Sequence, residues 1–71
     1  MRKAEIIEQA NDYERSIENA TERKDEDAKH SIWSEYIAFL KGVELCGYKI
    51  VYKKQENARK IVAVDVVPIE V

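Results

Sequence analysis

The sequence predicts a small α+β fold, a two-helix hairpin followed by an antiparallel β-hairpin (α-α-β-β), completed by dimerisation. Three observations predict it. Apolar side chains recur at helical spacing through the first two thirds of the chain, the period changes to two after Gly47, and 71 residues leave no material for a second domain. Residues 1–71 therefore read as one domain.

Ile6, Ala10, Tyr13, Ile17 and Ala20 follow one another at steps of four and three, which puts them on one stripe of a first helix over about 3–20. Its two alanines allow a second helix to approach closely. The segment from Thr21 to Asp27 is wholly polar, and Thr21 or Asp25 can cap a new helix by accepting a bond from a free backbone N–H. No Gly or Pro forces a turn there, so one long helix over 3–46 is the alternative. A second helix over about 27–46 carries Ile32, Trp33, Tyr36, Ile37, Leu40 and Val43 as a wide apolar sector, with Phe39 and Cys46 at its edge. Gly47 can end it in the left-handed conformation. Gly42 lies inside the helix, where it costs about 1 kcal/mol relative to Ala, and it reads either as a close backbone approach or as a tolerated defect.

Tyr48, Ile50 and Tyr52 then alternate with Lys49, Val51 and Lys53, the pattern of a strand over about 48–54 with one polar face. A polar connection follows, in which Asn57 can take a positive φ. The second strand, about 60–67, is apolar on both faces except at Asp65, and Pro68 ends regular pairing. Strict alternation sends Val62, Val64 and Val66 to one side and Ile61, Ala63 and Val67 to the other. Two helices cover only one face of a two-stranded sheet, so the set Val62, Val64 and Val66 is expected to mediate self-association. Burying three valines contributes about 5 kcal/mol before ordering costs.

Net charge is −2, but it is polarised: residues 1–27 hold five basic and nine acidic side chains, residues 28–71 seven and five. One cysteine, Cys46, excludes an internal disulfide, and no paired Cys/His spacing supplies a structural zinc site. The N-terminal residues run into a charged segment with no apolar core, so neither a secretory signal nor a membrane span is expected, and a reducing cytoplasm is. No catalytic residues, metal site or cofactor is expected. His30, the one histidine, has Ser31 beside it and Asp27 three residues away, but helical neighbours do not converge as a catalytic triad must. Cys46 sits at a helix C-terminus, where the dipole disfavours thiolate, and reads as a buried structural thiol. Gly42 and Gly47 form no phosphate-binding loop.

Two charged sets remain. Glu14, Glu18 and Glu22 stand at i, i+4 spacing with Asp25 near the same column, which reads as a solvated face or as an acidic ridge for a basic partner. Lys49, Lys53, Lys54, Arg59 and Lys60, interleaved with Tyr48 and Tyr52, are the alternative, a nucleic-acid contact by charge and stacking. Alternation argues against that second use, because it turns the tyrosines to the helices and the lysines to water.

In size and style the chain resembles the accessory proteins of bacteriophage and mobile-element genomes, which often bind and inhibit a host protein; the likeness rests on no motif. The two-faced apolar strand and the acidic helix lead to the expectation of a non-enzymatic interaction protein, a homodimer that docks on a partner protein. The alternatives are a small nucleic-acid-binding regulator using the basic hairpin and a ligand-sequestering oligomer whose pocket forms between subunits.

Overall fold

The computed structural model describes residues 2–55 and 60–69. Helix α1 spans Lys3–Glu22, helix α2 Glu26–Leu45, strand β1 Tyr48–Gln55 and strand β2 Lys60–Pro68. The chain is thus a small α+β fold of order α-α-β-β, as its periodicity predicts. Asn57 lies outside the described residues.

The turn between the helices exists without glycine. The N–H of Asp25 donates to the carbonyl of Ala20 at 2.9 Å and that of Lys24 to the carbonyl of Thr21 at 3.1 Å, the two bonds of a Schellman ending. Lys24 takes the left-handed position usually given to glycine, with φ 56°. Asp25 then opens α2, its Oδ1 accepting from the N–H of Ala28 at 3.1 Å. One residue therefore finishes the first helix with its backbone and starts the second with its side chain. The single long helix is excluded, and Thr21 is no cap: its hydroxyl donates to the carbonyl of Ile17 inside α1.

α1 buries Ile6, Ala10, Ile17 and Ala20, the stripe the spacing predicts, with Tyr13 half-buried beside them. α2 is less enclosed than its apolar sector suggests: Tyr36 and Val43 are buried, whereas Trp33 and Ile37 are exposed. Tyr36 lies between two rings, with Tyr13 at 5.2 Å and Trp33 at 5.7 Å between centroids. Of the two readings of Gly42 the tolerated defect holds, and one expectation for this helix, the buried Cys46, fails. A Cβ on Gly42 would meet nothing within 4 Å, so no backbone approaches it. Cys46 is exposed rather than buried, because as C-cap it lies beyond the last inward turn. Gly47 follows with φ 88° and ends the helix as predicted.

β1 and β2 pair antiparallel from Tyr48 opposite Pro68 to Gln55 opposite Lys60. The register breaks once. Val51 faces Asp65 and Tyr52 faces Ala63, so Val64 is an extra residue, a β-bulge. Alternation along β2 is reset there: Ala63 and Val66 both enter the core, 4% and 1% exposed. The assignment of Val66 to the open face with Val62 and Val64 is therefore corrected, since one inserted residue inverts the side to which every later side chain points. Val66 packs with Ile6 and Val43, and Val67 replaces it outside.

α1 lies chiefly on β2 and α2 on β1. The free edge of β2 is closed by side chains. Asn11 of α1 accepts from the N–H of Ala63 at 2.8 Å and donates to its carbonyl at 3.1 Å, replacing the missing strand. Asp65 does the same for its neighbour, accepting from the N–H of Val66 at 2.7 Å while an ion pair at 3.2 Å holds it to Lys3.

Two substitutions test this packing. Gly42→Ala raises stability by about 1 kcal/mol, because the helix gains propensity and nothing obstructs the methyl group. Asn11→Ala lowers it by about 2 kcal/mol by leaving both backbone groups of Ala63 without partners. Urea unfolding at neutral pH reads both.

Candidate functional site

The helices cover one face of the hairpin and leave the other bare. By register the bare face carries Lys49, Val51 and Lys53 from β1 and Val62, Val64, Asp65 and Val67 from β2. Val51 is 36% exposed and Val64 46%, with Val62 and Val67 half-buried around them. The bulge adds Val64 to this patch, while the Asp65 carboxylate reaches over the free edge to Lys3 of α1. Lys49 stands opposite Val67 and Lys53 opposite Val62, so a valine row borders a row that is two-thirds lysine.

Charge is separated between the layers. α1 carries six acidic and two basic side chains and α2 four and two, whereas the described charged side chains of the strands are Lys49, Lys53 and Lys54 against Asp65. The polarity read along the chain is thus a polarity across the fold, with a negative helix layer and a positive sheet layer. The Asp65 carboxyl is held below the usual carboxylate range, first by the Val66 N–H and then by Lys3.

The structure places the predicted charged residues unevenly. Glu14 lies beside the hydroxyls of Tyr36 and Tyr52, Asp25 is occupied as the cap of α2, and Glu22 borders an open groove of about 390 Å³ with Ser16, Asn19, Arg23 and Ile32. Glu18 also engages a neighbour. The acidic column is tied into the fold at several points along its length. Of the basic set, Lys49 and Lys53 share the bare face and Lys54 falls on the other; Arg59 and the side chain of Lys60 lie outside the described residues. Tyr48 and Tyr52 turn to the helix side, where with Leu40, Val43, Glu44, Lys49 and Ile50 they line a groove of about 180 Å³ between α2 and β1.

Two groupings escape the sequence reading. Tyr36 and Tyr52 share a hydrogen bond between hydroxyls, with Glu14 adjacent. Burial of Tyr36 and Tyr52 pushes both phenols above their ordinary range, and the Glu14 charge pushes the same way. The second is the exposed pair Trp33 and Ile37, one helical turn apart on α2, whose i, i+4 spacing fits an uncovered stripe as well as a core. Among the described residues no three His, Cys, Asp or Glu side chains could hold a metal ion, and no helix is long and apolar enough to cross a membrane. No protein-family model, curated protein or solved structure matches the chain.

The tyrosine pair makes stability depend on alkaline pH. A phenol whose folded pKa is raised holds its proton longer than in the unfolded chain, so its contribution is complete below the unfolded value of about 10 and is lost as pH rises above it. Unfolding free energy falls above about pH 10, and Tyr52→Phe flattens that fall. Urea titrations between neutral and alkaline pH measure it.

Proposed function

We propose that this chain is a non-enzymatic interaction protein that docks on a partner protein through the bare sheet face. The observation that carries the reading is the combination on one face of exposed Val51 and Val64 with Lys49 and Lys53. Apolar patches bordered by charge suit protein partners, and the positive sheet layer selects an acidic one. Lysines at the border steer approach and fix orientation, while the valines supply the desolvated centre. Covering a partner's apolar and acidic surface blocks whatever else that surface binds, which is the inhibitory action implied by the resemblance to phage and mobile-element accessory proteins.

A nucleic-acid role has weaker support. The bare face offers lysines for phosphates, but Tyr48 and Tyr52, the rings that would stack on bases, lie on the helix side.

Affinity capture from the native cell, with the wild type and Val64→Glu compared, tests the proposal. Val64 is an exposed bulge residue, so the substitution leaves the fold intact. An acidic protein recovered with the wild type, released by salt and weakened about tenfold or more by Val64→Glu is the expected result. A partner retained by Val64→Glu, or nucleic acid alone, overturns it.

A further inference from the structure

We propose that the outer flank of α2 is a homodimer interface, with two copies of the helix packed antiparallel about a two-fold axis at Ile37. This is independent of the docking face. Trp33, Ile37, Leu40 and Glu44 recur at steps of four, three and four, one stripe of the helix. Leu40 and Glu44 line the groove against Tyr48, Ile50 and Tyr52, so the stripe lies on the β1 side, away from α1. The opposite flank is occupied: Phe39 meets Tyr13 at 5.6 Å between ring centroids, and Ile32 borders α1. Trp33 at 40% and Ile37 at 47% exposure are therefore uncovered on the flank of α2 that faces away from α1.

The occupant is a second copy because the stripe complements itself. Around Ile37, Trp33 and Lys41 lie four residues away in opposite directions, and His30 and Glu44 seven. A two-fold axis normal to the layers makes the helices antiparallel. It superposes equal rises of about 6 Å and about 10 Å, setting Lys41 of each copy over Trp33 of the other and Glu44 of each beside His30 of the other. Ile37 meets its own equivalent at the axis.

Sedimentation across a hundred-fold concentration range tests the proposal, with thermal unfolding to confirm each variant folds. The wild type is expected to dimerise, Ile37→Asp to be a folded monomer, and Val64→Glu to remain dimeric. His30→Glu weakens the dimer about tenfold by opposing Glu44, and adding Glu44→Lys restores it to within about threefold. Lys in the last turn of α2 also favours the helix end, so this rescue is read on a fold that is not weakened. A monomeric wild type, a dimer that survives Ile37→Asp, dissociation by Val64→Glu, or failure of the charge exchange overturns the proposal. Loss of the partner with the dimer intact concerns the docking face alone.

Discussion

The two hydrogen bonds between the Asn11 carboxamide and the backbone of Ala63 are the constraint on which the rest of this structure depends. A two-stranded sheet has as many unpaired edge groups as paired ones, and among the described residues there is no third strand to satisfy them. A side-chain amide presents a donor and an acceptor at the spacing of a peptide group, so one residue of α1 supplies the missing strand where β2 most needs it. The same contact fixes how far α1 can slide along β2. It also brings Ala10 down onto Ala63 in the core that Tyr36 completes.

Tyr36 does for β1 what Asn11 does for β2. Its ring lies between Tyr13 and Trp33, and its hydroxyl bonds to that of Tyr52, so one side chain joins both helices and the first strand. The arrangement satisfies the buried Tyr36 hydroxyl with that of Tyr52 and leaves the packing of α2 on β1 thinner than that of α1 on β2. That imbalance explains why exposed apolar groups gather at α2 and not at α1. A core with so few large side chains is held in place by directional polar contacts at its margins.

Most of the fold was legible because it is written in periods. The stripe from Ile6 to Ala20, the change at Gly47 and the alternation through Tyr48, Ile50 and Tyr52 each report a local geometry that the environment does not override. The bulge was not legible in that way, since one added residue changes neither composition nor hydropathy; Asp65 in an apolar run is its trace. Because the open face was deduced by counting alternate residues, the missed bulge exchanged Val66 for Val67. The turn between the helices is legible in the polar run from Thr21 to Asp27, but with Lys24 in the left-handed position no glycine marks it, and the Schellman bonds are made by backbone atoms, which carry no sequence signature. The candidate charged sites were read as residue types in a row. Only the fold shows that Asp25 is occupied as a cap and that Lys54 stands on the opposite face from Lys49 and Lys53.

The two-layer arrangement also has a consequence for valency. In a dimer whose axis stands normal to the layers, both sheets look the same way, so the pair is a plate with one acidic side and one basic side. Each plate carries two identical valine and lysine patches on its basic side. A partner that repeats its acidic site, or is itself two-fold symmetric, is held at both patches at once. The second attachment is then intramolecular, and its effective concentration is set by the fixed distance between the patches rather than by the amount of protein present. In such a dimer, strength of attachment comes from symmetry rather than from the area of a single patch.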